Sequence, residues 1–169
     1  MATFCRGNDV FSKSEKQYLM VLSIHSDDHY MKEAYKQALM AYEEGEIPVG
    51  AVIVANNQII ARAYNQTERL NDPTAHAEML AITAASNHLG TKYLSDCSLY
   101  VTLEPCGMCA GALYWSQLKV LVYSASDDKR GFTALNKNLI HPKTDIRRGP
   151  MVQECSELVS SFFGRIRNK

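Results

Sequence analysis

Three features of this 169-residue chain predict a three-layer α/β/α domain built on a mixed, five-stranded sheet. Two apolar runs flank an Asn-Asn turn, so they pair as a hairpin. A strand–helix–strand unit between residues 99 and 123 requires a parallel pair with a right-handed crossover. Helices with apolar faces precede and follow these strands and can cover the sheet.

Ser26 or Asp27 can cap a first helix running to about residue 44, where Gly45 ends it. Met31, Ala34, Tyr35, Ala38, Leu39 and Tyr42 recur at three-four spacing along one face. Residues 49–54 are a nearly continuous apolar run. Asn56-Asn57 suits a tight turn because asparagine tolerates positive φ, and residues 59–63 supply the second strand. A polar stretch, 65–74, leads to Thr74, which can cap a second helix over 75–89 that Gly90 stops. That helix is apolar on more than one side, which predicts cover on both flanks, and its small residues would let a second subunit approach. Residues 99–103 form a third strand, 107–117 a short helix, and 120–123 a fourth strand. A weak fifth strand falls near 143–147. Cys155, Leu158, Val159, Phe162, Phe163 and Ile166 make the amphipathic stripe of a final helix.

Composition narrows the class. Apolar residues make up 46% and charged residues 21%, a globular balance. Lys plus Arg equals Asp plus Glu at 18 each, which argues against a general nucleic-acid coat. The charge is uneven, however. From Lys129 onward there are nine basic residues against three acidic ones, so a local basic surface can meet a polyanion, or can simply be a solvated face. The five cysteines are too sparse for a disulfide framework. No stretch approaches the ~20 apolar residues of a membrane span, and the apolar residues 18–24 have no small-residue cleavage site after them. The expectation is a cytoplasmic protein with an N-terminal extension, 1–26, and a working domain, 27–169.

The chemistry concentrates in His76-Ala77-Glu78 and Pro105-Cys106-Gly107-Met108-Cys109. One imidazole and two thiolates make three zinc ligands and leave the fourth tetrahedral position open, the arrangement of a catalytic site. His76 is expected in the first turn of its helix, and both cysteines at the start of theirs. Unpaired N–H groups and the helix dipole there favour thiolates. Pro105 costs little at a helix start. Glu78 lies two residues from the ligand and can take a proton from water and deliver it to a ring nitrogen and a leaving amine. Zinc lowers the pKa of bound water from ~16 toward ~7. A lone histidine, C-x-x-C pair or first-turn glutamate would mean little, but His-x-Glu followed by Pro-Cys-x-x-Cys is the signature of zinc base deaminases.

At these residues the chain resembles the cytidine deaminase-like superfamily, and within it the bacterial tRNA adenosine deaminases. The resemblance spans about residues 31–163. It is carried by Glu46-Ile47-Pro48-Val49-Gly50-Ala51, Asn65, residues 71–78, residues 99–106, and Met108-Cys109-Ala110-Gly111-Ala112. It implies a cytidine deaminase-like fold and a homodimer with one Zn2+ per subunit. The implied reaction converts the wobble adenosine of a tRNA anticodon loop to inosine. By position, the resemblance makes Asn65 a partner of the flipped purine and places Glu104 and Pro105 on the pocket edge. It makes Asp127 a contact to the RNA backbone, and gives His141, Phe163 and Arg165 to the grip on the anticodon loop. Gly107 stands where the family carries a bulkier residue and is expected to enlarge or loosen the site. Two other readings stay open: a deaminase of a free base such as guanine or cytosine, and a noncatalytic, zinc-stabilised RNA-binding subunit.

Overall fold

The computed structural model describes residues 25–167. The apolar segment 18–24, and nearly all of the expected N-terminal extension, lie outside the described residues. The first helix, α1 (Asp27–Glu43), starts where Ser26 accepts the His29 N–H at 3.2 Å, with Asp27 and Asp28 suiting its dipole. Its buried face is Tyr30, Met31, Ala34, Ala38 and Ala41. Leu39, expected on that face, is exposed instead.

Strands β1 (Gly50–Ala55) and β2 (Gln58–Tyr64) form the hairpin. Asn56 and Asn57 take φ of 49° and 61°, the paired positive values of a turn whose twist matches its strands. A single turn, α2 (Thr67–Leu70), interrupts the polar stretch. Then come α3 (Ala77–Leu89), β3 (Cys97–Leu103), α4 (Gly107–Trp115), β4 (Val120–Ala125), α5 (Phe132–Leu135), β5 (Asp145–Arg148) and α6 (Val152–Arg167).

The sheet runs β2-β1-β3-β4-β5. β1 is antiparallel to both neighbours, and β3, β4 and β5 are mutually parallel. Alternation along the strands divides the core. Val52, Val54, Tyr100 and Val122 meet Tyr30, Met31 and Ala34 of α1. Ala51, Ile53, Leu99, Val101 and Leu121 meet Ala77, Ala81 and Ala85 of α3 and Ala110 and Leu113 of α4. α6 joins the α1 layer, where Phe162 packs edge-on against Tyr42. The result is the mixed, three-layer architecture that the sequence predicts.

Gly50 sets the spacing of α1 on the sheet. A Cβ there would lie 2.1 Å from the Ala34 carbonyl oxygen and 2.3 Å from the Ala38 nitrogen, so α1 rests directly on the strand backbone. The chain covers one stripe of α3, namely Ala77, Glu78, Ala81 and Ala85, while Thr83 and Ala84 are exposed. The second covered flank expected of this helix is not supplied by the described residues.

Candidate active site

Two helix starts face each other under the ends of β2 and β3. His76 is the N-cap of α3, with extended φ and ψ of −71° and 153°, rather than a residue of its first turn. Thr74, expected as the cap, is bonded to Asp72 Oδ1 through both its N–H and its hydroxyl. The helix therefore begins later than the sequence suggests. Cys106 is the N-cap of α4, and Cys109 lies buried inside its first turn.

His76 Nδ1 lies 3.7 Å from Cys106 Sγ and 3.6 Å from Cys109 Sγ. Zinc–sulfur and zinc–nitrogen bonds of ordinary length, set at the tetrahedral angle, separate the two ligand atoms by about 3.6 Å. Both distances from His76 match the dimensions of one zinc ion, and all three donor atoms lie within 4.8 Å of one another. Cys109 donates to Cys106, and this bond, helped by His76 against the cost of burial, holds the Cys106 thiol down at about 4. The same bond pushes Cys109 above its ordinary value. The bond with Cys106 raises the His76 pKa.

Glu78 follows in the first turn of α3, 3% exposed. Burial pushes its carboxyl up to about 7, opposed by hydrogen bonding to its charged form. A carboxyl that exchanges its proton near neutrality, beside three metal ligands, is equipped for acid–base work.

These groups open into a cavity of about 690 Å³ lined by His76, Glu78, Cys106, Asn65, Glu104 and Asp127, with Lys129, Arg130 and Phe163 also in its lining. Its size suits a small ligand or a single base.

The structure thus brings seven of the sequence-derived site residues together in one cavity: His76, Glu78, Cys106, Asn65, Glu104, Asp127 and Phe163. Cys109 completes the donor set beside it. Pro105 is buried next to the cavity rather than lining it, and its carbonyl accepts the Phe132 N–H at 2.9 Å. His141 packs against the Tyr114 ring, and Arg165 stacks on Tyr42 and Phe162. Neither lines the cavity. Gly107 does not line it either, and a Cβ there would stand 3.0 Å from Leu135 Cδ1.

The family model for the cytidine and deoxycytidylate deaminase zinc-binding region matches residues 24–125. The chain belongs to this family of zinc deaminases. Among relatives of this deaminase is the tRNA-specific adenosine deaminase of Aquifex aeolicus, 46% identical over 146 residues, covering 83% of this chain and 96% of the relative. A solved structure from studies of A-to-I editing by tRNA:A34 deaminases at the wobble position of transfer RNA is 39% identical. It covers 78% of this chain and 99% of that one, with a TM-score of 0.73. A guanine deaminase from Bacillus subtilis is also 39% identical, covering 69% and 71% of the two chains, with a TM-score of 0.58.

Two features of the deaminase's site escaped the sequence. The Glu104 carboxylate, expected at the pocket edge, is 4% exposed and occupied. It accepts the Asp127 N–H at 3.2 Å, the Thr133 N–H at 2.9 Å and the Thr133 hydroxyl at 2.6 Å. Glu46, given no role from the sequence, is 1% exposed and bonded to the opposite wall. The prior signals were its place at the head of the stretch 46–51 that carries the resemblance, and an acid set just before an apolar strand, where burial is unusual.

Proposed function

We propose that this protein is a hydrolytic deaminase that converts the wobble adenosine of a tRNA anticodon to inosine, consuming water and releasing ammonia. The observation that carries the reading is the His76–Cys106–Cys109 triangle of zinc dimensions, with Glu78 beside it at a cavity sized for one base. The 46% identity to a tRNA-specific adenosine deaminase over nearly all of that relative supports the substrate.

His76, Cys106 and Cys109 would hold the zinc, which when bound supplies the Lewis acidity that makes water nucleophilic near neutral pH. Glu78 takes a proton from the water that attacks adenine C6, gives one to the adjacent ring nitrogen, and assists the amine as it leaves. Its raised pKa lets one carboxyl serve in both directions. Asn65 holds the base edge by its side-chain amide. Asp127, Lys129 and Arg130 meet the sugar and phosphates that flank the flipped nucleotide. The half-exposed Phe163 offers a face on which an unpaired base can stack. Arg165 and His141 extend the contact along the anticodon loop, beyond the cavity.

Residues 27–169 make up the deaminase domain, acting in the cytoplasm on tRNA. No helix among the described residues is long and apolar enough to cross a membrane. A homodimer fits the apolar side chains left open around α4 and α5: Trp115 is 78% exposed, Leu135 58% and Met108 37%. A monomeric mass in solution would refute the dimer.

The test is deamination of an anticodon stem-loop with adenosine at the wobble position, beside free guanine, adenine and cytosine. Inosine in the loop is expected. Turnover of guanine with none in the loop would reverse the substrate assignment toward the activity named for the Bacillus subtilis relative.

A further inference from the structure

Among the described residues, the buried Glu46 carboxylate has no cation among its bonded partners. Four groups donate to it: Asn65 Nδ2 at 3.3 Å, the Thr67 hydroxyl at 3.1 Å, the Glu68 N–H at 3.2 Å and the Arg69 N–H at 2.7 Å. It thereby ties the start of α2 and the side chain of Asn65 to one point behind the cavity wall. Burial of a carboxylate is costly unless its lone pairs are met in this way.

The geometry at Asn65 goes further. Its Nδ2 also lies 3.1 Å from Thr67 Oγ1, which itself lies 3.1 Å from Glu46 Oε2. Three nearly equal separations make a near-equilateral triangle, so the two acceptors subtend about 60° at Nδ2, half the ~120° between the N–H bonds of a planar amide. One N–H therefore serves both, and the other N–H and Oδ1 are not used by these bonds. Turning the amide over would set Oδ1 against the Glu46 carboxylate oxygen, acceptor facing acceptor. The carboxylate thus dictates the sense of the amide, which neither the shape of Asn65 nor its packing could do, since the two ends of an amide are nearly the same size.

We propose that Glu46 is a positioning residue for the reaction: it fixes which end of the Asn65 amide meets the base, and so which base edge the cavity accepts. The inference rests on the deaminase reading above. Glu46 touches no substrate; it acts through Asn65.

The experiment compares the full, zinc-loaded chain with Glu46→Leu, Asn65→Ala and the double variant on the wobble-adenosine stem-loop, with zinc content and Tm measured for each. Leucine keeps much of the size but offers no acceptor, so nothing holds the Asn65 amide to one sense. Glutamine is the conservative control: its single oxygen can take the Oε2 place that Asn65, Thr67 and Glu68 share, so it should keep most of kcat/KM. A fall in kcat/KM of roughly tenfold or more is expected for Glu46→Leu, the scale of a misplaced hydrogen-bonding group in a substrate pocket. No further fall is expected when Glu46→Leu is added to Asn65→Ala, because the amide is already gone. A scaffold role alone would be felt with or without that amide. Losses that multiply, or an unchanged kcat/KM for Glu46→Leu, would overturn the proposal. If Glu46→Leu does not fold, Thr67→Val removes the hydroxyl and leaves the direct Asn65–Glu46 bond; kcat/KM close to wild type is then expected, and a loss as large as that of Asn65→Ala would give the amide's sense to the hydroxyl and overturn the proposal. An inactive wild type on the stem-loop would defeat the substrate reading instead, and the coupling would be read on the free base it does turn over.

Discussion

Glu104→Gln tests how the cavity wall opposite Asn65 is held. The carboxylate Oε2 accepts the Asp127 N–H, and Oε1 accepts both the N–H and the hydroxyl of Thr133. Through these bonds it fixes the loop that carries Asp127, Lys129 and Arg130. The loop is tight: a Cβ on Gly131 would stand 2.4 Å from Glu104 Cδ. Glutamine has one acceptor end, so it cannot serve both backbone N–H groups while its NH2 takes the other place. One of them loses its partner, and the remaining bond loses its charge. An unmet, partly buried N–H costs about 1–3 kcal/mol, and a middle value of about 2 kcal/mol lowers Tm by roughly 4–8 °C in a domain of this size. The assay is a thermal melt of the zinc-loaded protein, followed by kinetics on the stem-loop. Tm should fall by that amount and KM should rise as the rim loosens, while zinc stays bound, because its three ligands are unchanged. Unchanged Tm and KM would refute the claim that this wall hangs on Glu104. An unchanged Tm with a large loss of turnover would return Glu104 to the substrate edge.

Other outcomes follow from the same structure. Cys106→Ser should lose zinc, measured by elemental analysis, with a marked fall in Tm, because metal binding is coupled to the folded state; full zinc occupancy would remove Cys106 from the ligand set. Gly50→Ala should destabilise the protein by about 1–3 kcal/mol or more, read from its denaturant midpoint, since the new methyl meets α1 backbone and not a flexible side chain. Tyr100 donates to Asp27 Oδ1 at 2.7 Å, and burial first, then that bond, lifts its pKa far above the ordinary 10.0. A raised folded-state pKa means stability that is full below pH 10 and lost as pH rises beyond it. Tyr100→Phe should therefore be less stable by roughly 1 kcal/mol at pH 7, with the gap to wild type narrowing above pH 10 in urea titrations. Affinity for the stem-loop should fall steeply with salt as phosphate contacts release counterions; a flat dependence would disconnect Lys129 and Arg130 from RNA.

The sheet was legible because its signals are local. An apolar run along 49–54, a second strand over 59–63, the Asn-Asn turn between them and a crossover helix leave few arrangements. The zinc ligands were legible because their residue types are rare in combination and both sets sit at helix starts. The boundaries were less so: Thr74 is a sound cap by type, but Asp72 engages it first, and the helix begins past His76. The stripe of α6 could not tell Phe162 from Phe163, one buried in the core and one open at the cavity. The wall supports were hidden for a deeper reason. Glu46 and Glu104 are acids, and composition assigns acids to the surface. Their burial depends on backbone donors brought by the single turns α2 and α5, which carry too little periodicity to be foreseen.

The central claim is that Glu78 moves the proton at a zinc deaminase site, and the most direct test is Glu78→Ala. Zinc content would be measured together with single-turnover deamination of wobble adenosine in the stem-loop. The account predicts zinc near one per chain with a rate lowered by at least about a hundredfold, the usual range for a lost general acid–base. Inosine formed at the wild-type rate by the zinc-loaded variant would contradict it.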